Sequence, residues 1–213
     1  MLELLFFRKT TKNGTKHKIS KKSLPLATEI IFCTNMGNFK EDIAKVRAFA
    51  FDVDGVLTDG GITVTPDGDY LRTYNSKDGY AIAYALKQGY KVAVISGGRG
   101  KALETRFNAL KVTKFWIDVF DKVGHLKEFM EEFDLKPGEV MFMGDDLPDY
   151  EAMELSGMPV CPADAATEVK ELSCYVSHLK GGEGCVRDII EQTLRVQGKW
   201  HLPKGGFNVV PSR

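Results

Sequence analysis

Ala48-Phe49-Ala50-Phe51, entered through Val46 and Arg47, is an apolar run cut off abruptly by Asp52-Val53-Asp54-Gly55. An unbroken run this short predicts a strand covered on both faces, with two aspartates delivered to its carboxyl end. Open α/β sheets place their sites at that end. Downstream, Gly61 to Thr65 and Tyr70 to Tyr74 alternate in polarity around Pro66-Asp67-Gly68-Asp69, a hairpin signal. Asp78 reads as the cap of a helix over Gly79 to Gln88, stopped by Gly89 and followed by a strand, Lys91 to Ile95.

Strand and helix then alternate. The pattern predicts a helix over Lys101 to Leu110, a strand at Phe115 to Ile117, a helix over Lys122 to Phe133, a strand at Val140 to Met143 and a helix from Pro148 to Leu155. Short strands follow near Met158 and Cys174. A closing amphipathic helix carries Val186, Ile189, Ile190, Thr193 and Leu194 on one face. Repeated strand–helix units make the fold class α/β, a doubly wound, mostly parallel sheet with a protruding β-hairpin.

At 213 residues and 43% hydrophobic, the chain is long enough for one substantial core, here assigned to residues 36–198. Residues 1–35 hold seven Lys/Arg against Glu3 and Glu29, which leaves the remainder five units net negative although the whole chain is neutral. That first stretch is expected to be a basic extension or an over-called start, with Met36 the more natural first residue, and 199–213 a tail. Zero net charge argues against nucleic acid as a partner. The apolar pieces of the basic stretch are too short to span a bilayer, so neither a membrane partner nor export is expected and a cytoplasmic location is. Cys33, Cys161, Cys174 and Cys185 lack metal or redox spacing, and four scattered histidines give no metal cluster.

Polar residues recur at the strand ends: Asp52 and Asp54, then Ser96-Gly97-Gly98-Arg99, then Lys122 opening a helix, then Gly144-Asp145-Asp146. Taken singly, each is an ordinary turn or a solvated charge. Together their chemistry agrees. Asp52 and Asp145 offer hard oxygen ligands of the kind magnesium prefers. The Ser96 hydroxyl, backbone N–H groups near Gly55 and Gly97, and the Lys122 ammonium suit phosphoryl oxygens whose charge is redistributing. Asp54, two residues past Asp52, is placed to protonate a leaving oxygen.

These four motifs resemble those of the haloacid dehalogenase superfamily of phosphatases, over roughly residues 46–198. The resemblance implies that Asp52 forms an aspartyl-phosphate, that Asp54 is the acid/base with a backbone carbonyl on magnesium, and that Asp145 and Asp146 make the acidic fourth motif, so that the metal set is Asp52, Asp54, Asp145 and Asp146. Spacings of 44, 26 and 23 positions between Asp52, Ser96, Lys122 and Asp145 leave no room for a cap domain. The hairpin with Tyr70-Leu71-Arg72-Thr73-Tyr74-Asn75-Ser76-Lys77-Asp78-Gly79 and the turn Gly181-Gly182-Glu183-Gly184 are similar to those of the capless 3-deoxy-D-manno-octulosonate 8-phosphate (Kdo 8-phosphate) phosphatases. That likeness implies a small sugar-acid phosphate substrate in the route to lipopolysaccharide, and a homotetramer in which neighbours' hairpins and tails complete the site. It makes Arg72 and Lys77 candidates for the substrate's carboxylate or hydroxyls, with Gly55, Gly97 and Arg99 as further substrate contacts. Two departures stand out. Glu183 replaces a residue that is often basic in the family, and Gly98 stands where relatives acting on the nine-carbon sugar acid tend to carry Glu, favouring the eight-carbon substrate.

Three other readings compete. A nucleotide module fails because Gly97-Gly98-Arg99-Gly100-Lys101 matches neither G-x-G-x-x-G nor a P-loop. A receiver domain keeps its phosphorylated aspartate on a later strand than its acidic pair, whereas here nucleophile and acid share one turn. A silent scaffold subunit is opposed by the intact Asp52, Asp54, Ser96, Lys122 and Asp145.

Overall fold

The computed structural model describes residues 39–201. The expectations for the basic extension 1–35 and for positions 202–213 lie outside them. A parallel six-stranded sheet forms the centre, built from β1 (Ala48–Phe51), β4 (Lys91–Ile95), β5 (Lys114–Trp116), β6 (Val140–Met143), β7 (Met158–Cys161) and β8 (Tyr175–Val176) in the order β5-β4-β1-β6-β7-β8. The separate hairpin pairs β2 (Thr63–Val64) with β3 (Tyr70–Leu71). It is shorter than its alternation suggested. Only two residues on each side form the ladder, with Thr65 Oγ1 and the Asp69 backbone closing the turn.

Helices cover both faces: α1 (Phe39–Asp42), α2 (Ser76–Lys87), α3 (Lys101–Leu110), α4 (Lys122–Glu132), α5 (Tyr150–Leu155), α6 (Thr167–Leu172) and α7 (Cys185–Val196). The side-chain period of two divides β1 between the two cores. Phe49 and Phe51 pack with Ile82, Phe107, Met141 and Ile189 under α2, α3 and α7, while Ala48 and Ala50 pack with Phe129, Phe142, Met153 and Val169 under α4, α5 and α6. All four residues of β1 are completely buried, which explains why they read as one apolar run.

Several boundaries move for local reasons. Asn75, not Asp78, caps α2, its side chain accepting from the Lys77 N–H. Asp78 instead sits in the first turn of α2 and accepts from the Arg187 backbone, so it caps the neighbouring helix α7. Leu147–Asp149 form a single 3-10 turn before α5 begins at Tyr150. The short helices α1 and α6 had no strong period to announce them. Past α7 the chain stays packed: the Trp200 ring lies 4.7 Å from that of Tyr84, and Tyr84 Oη donates to the Lys199 carbonyl.

Register aligns the strand ends. Phe51 pairs with Val94 on one side and Met143 on the other, so Asp52, Ser96 and Asp145 leave the sheet at nearly the same level. The chain runs outward from β1 through β4 to β5, then resumes on the opposite side at β6. That reversal opens a crevice above β1.

Candidate active site

Asp52 follows the last residue of β1, and its N–H is fixed by the Met143 carbonyl. Lys122 opens α4, with Asp121 capping that helix through the Gly124 N–H. The ammonium is buried, 7% exposed, and lies 2.8 Å from Asp52 Oδ1 and 2.6 Å from Asp149 Oδ1. Burial opposes its charge, yet Asp52 and Asp149 together raise its pKa. Asp149 is 1% exposed, and its second oxygen accepts from the backbone of Asp145 and Asp146.

Asp52, Asp145 and Asp149 present ligand oxygens that all lie within 4.8 Å of one another. One ammonium among three carboxylates leaves a surplus of negative charge in a partly desolvated place. Desolvation, together with the Asp52, Asp149 and Asp146 charges, pushes Asp145 up to about 8. Asp52 also rises, through burial and the Asp149 charge, although Lys122 pulls it back. Asp145 Oδ1 is buried without a hydrogen-bond partner. A divalent cation answers all of these observations, and an all-oxygen donor set suits a hard one.

Asp146, expected in the metal set, is exposed and outside this cluster; Asp149 takes that place. The reason is local geometry, because the 3-10 turn brings residue 149 back over 145. The signal available in the sequence was the second acid four positions after Asp145, joined to it through Pro148. The Asp54 side chain lies outside the three-carboxylate group, whereas the contact expected of Asp54 is through its backbone carbonyl.

Gly55 has φ +89°, and a Cβ there would fall 2.0 Å from Asp145 Oδ2. Only glycine lets the loop after β1 pass so close to the acid. Ser96 is 1% exposed at the end of β4, its Oγ accepting from the Gly98 N–H, while Gly97 is exposed at the mouth. Arg99 is exposed and donates to Tyr70 Oη; Lys77 is exposed at the start of α2. Glu183 is exposed in a turn strapped down by Gly182 N–H to Val56 and Asn75 Nδ2 to Gly182.

Arg72, the other candidate for the substrate's carboxylate or hydroxyls, meets a carboxylate of the chain itself. Its Nε and Nη2 hold Asp54 Oδ1 and Oδ2 at 2.6 and 2.8 Å, and its Nη1 reaches the carbonyls of Tyr70 and Arg99. With the side chain 2% exposed, this guanidinium is paired with Asp54 through both carboxylate oxygens.

A haloacid dehalogenase-like hydrolase family model matches residues 118–187. The 3-deoxy-D-manno-octulosonate 8-phosphate phosphatase KdsC of Escherichia coli K12 is 36% identical over 161 residues, covering 76% of this chain and 86% of that protein. The chain belongs to this phosphatase family. Among solved structures, the Kdo 8-phosphate phosphatase of Yersinia pestis superposes with TM-score 0.74 at 35% identity, covering 76% of this chain and 87% of the other. The Moraxella catarrhalis phosphatase, solved with magnesium, phosphate and KDO, gives 0.72 at 25% identity, covering 75% and 92%. Both likenesses span the phosphatase core, and the six-stranded parallel sheet is the capless form of that fold.

Proposed function

We propose that this family member is a magnesium-dependent phosphomonoesterase that releases phosphate from Kdo 8-phosphate through an aspartyl-phosphate. The observation that carries the reading is the Asp52–Asp145–Asp149 group gathered around Lys122 at the ends of β1 and β6. Relatives named for this substrate, and a neighbour solved with magnesium, phosphate and KDO, support the choice. When bound, the cation neutralises the carboxylates enough for a phosphate dianion to approach and polarises its oxygens.

The chain's own groups do the rest. Lys122 holds one oxygen of Asp52, leaving the other to attack phosphorus. As the P–O bond to the sugar breaks, Asp54 gives a proton to the departing alkoxide. Water then attacks the aspartyl-phosphate, Asp54 accepts its proton, and Asp52 is regenerated with release of inorganic phosphate. Ser96 and Lys122 face the phosphoryl oxygens throughout, so the charge developing there meets donors already fixed by the fold. Gly55, Gly97, Lys77 and Arg99 are the proposed substrate contacts, and Arg72 is withdrawn from that group. Asp149 replaces Asp146 in the proposed metal set.

The catalytic unit is proposed to be residues 36–198, working as a tetramer in the cytoplasm. No helix among the described residues is long and apolar enough to cross a membrane. Phosphate release across a panel of eight- and nine-carbon sugar-acid phosphates, with and without magnesium, tests the reading. Fastest turnover on Kdo 8-phosphate supports it, and turnover that survives complete chelation overturns it.

A further inference from the structure

Asp54 is the weakest-held member of the site by position alone. It lies on the loop beyond β1, outside the ladder that fixes Asp52, and its side chain is 26% exposed. An aspartate in such a place has two side-chain torsions to spend in water. A group that must meet a leaving oxygen cannot wander, since small misplacements of reacting groups cost orders of magnitude in rate.

The restraint comes from 18 positions away. The guanidinium of Arg72 meets both carboxylate oxygens of Asp54, which fixes the plane of the carboxylate as well as its position. Its remaining nitrogen bonds the carbonyls of Tyr70 in the hairpin and Arg99 in the loop after β4, so the fork is itself anchored to two separate backbones. A lysine has no such planar fork and cannot reproduce four directed bonds. Each Asp54 oxygen keeps a second lone pair, so the pairing leaves an edge of the carboxylate available to the reaction.

Gly98 provides the space. A Cβ at that position would stand 2.7 Å from Arg72 Nη2, 3.0 Å from Asp54 Oδ2 and 3.1 Å from Ser96 Oγ. The first of these distances is too short for the pair to stay where it is.

We propose that Arg72 is a positioning residue for Asp54, and that glycine at position 98 is the condition for it. The hairpin thereby takes part in proton transfer without touching the reacting atoms. The inference rests on the reading of Asp54 as the acid/base. It predicts that Arg72 affects turnover in proportion to how much the leaving group needs a proton, which a merely structural ion pair or a substrate contact does not do.

The test uses steady-state kinetics of Arg72→Ala, Arg72→Lys, Gly98→Ala and Asp54→Asn on Kdo 8-phosphate, whose alkoxide leaves poorly, and p-nitrophenyl phosphate, whose phenolate leaves well. Arg72→Ala is expected to lower kcat on the sugar phosphate by about 10–100-fold, with KM changed less than about threefold and a much smaller loss on the aryl ester. Arg72→Lys recovers part of the loss, Gly98→Ala reproduces part of it, and added guanidinium ion rescues Arg72→Ala but not Asp54→Asn. A loss confined to KM, or equal losses on both substrates without rescue, overturns the proposal. Should Arg72→Ala not fold, Arg72→Lys and Gly98→Ala decide it by the same split between substrates. Full turnover in Asp54→Asn removes the acid/base reading itself, whereas a damaged Asp54→Asn beside an unaffected Arg72→Ala removes only the role of Arg72.

Discussion

Two aspartates separated by one residue live in opposite electrostatic circumstances. Asp52 shares a buried ammonium with Asp149 and faces Asp145, so three carboxylates compete for one cation, and burial among like charges raises the pKa of Asp52 and Asp145. Asp54 has a guanidinium to itself, with both oxygens satisfied. The first environment is incomplete without a further positive charge; the second is complete within the chain. Burial explains the contrast, because the Asp52 side is closed by β6 and α4 while the Asp54 side opens to the hairpin. In the mechanism proposed above, a metal centre and a proton-transfer centre are thus built from neighbouring copies of one residue type.

The comparison breaks most sharply at the nucleophile. Asp52→Asn is expected to cut turnover by at least about 10⁴-fold while the circular dichroism spectrum stays native, and near-normal kcat would remove Asp52 from that role. Asp54→Asn should cost about 10²–10⁴-fold, more for alkyl than for aryl phosphates. On the crowded side, Lys122→Met leaves Asp52 and Asp149 buried without their ammonium. Urea unfolding in EDTA should register a loss of about 3–5 kcal/mol, part of which magnesium restores. An unchanged midpoint would mean that the ammonium is not what stabilises those acids.

The same asymmetry appears in metal linkage. Magnesium at about 100 times its Kd should stabilise the wild-type fold by about 2.7 kcal/mol in thermal or urea unfolding, and Asp145→Asn should lose most of that increment. Asp78 serves as the control. It is buried with Oδ2 unpartnered, and desolvation raises its pKa from 3.8 to about 6, the Arg187 N–H and the Arg187 charge only partly offsetting this. The native state therefore holds this proton more tightly than the unfolded chain does. Its contribution is favourable at low pH and is lost as pH rises from about 4 to about 6. Asp78→Asn, which keeps an oxygen for the Arg187 N–H, should raise stability by about 1–3 kcal/mol at pH 7 and flatten that stretch of the stability–pH curve. An orphan oxygen without neighbouring acids is thus expected to respond to pH and not to magnesium.

What the sequence disclosed follows from range. The burial of β1 is written in one unbroken apolar run, the strand ends bearing Asp52, Ser96 and Asp145 in the polar residues that cut such runs off, and the apolar face of α7 in a period of 3.6 residues, and each lies where that local pattern puts it. Asp149 is not legible because its place in the acidic group depends on a single 3-10 turn, which has no period, whereas Asp146 adjoins Asp145 in the sequence. Arg72 was singled out as functional, but its partner lies 18 positions away across a hairpin, and no local pattern encodes which carboxylate it will meet. Helices α1 and α6, of four and six residues, are too short to show an amphipathic repeat.

The level ends of β1, β4 and β6 have a further consequence for how such a protein diversifies. Asp52, Ser96 and Asp145 hang from adjacent hydrogen-bonded strands, so the gaps between them are multiples of an interstrand spacing that surface substitutions do not alter. The part proposed to handle the departing half of the substrate is held by a two-residue ladder and one glycine-sized gap instead. Such a division lets the phosphate-handling half stay constant across many descendants while new alcohols are tried on the other.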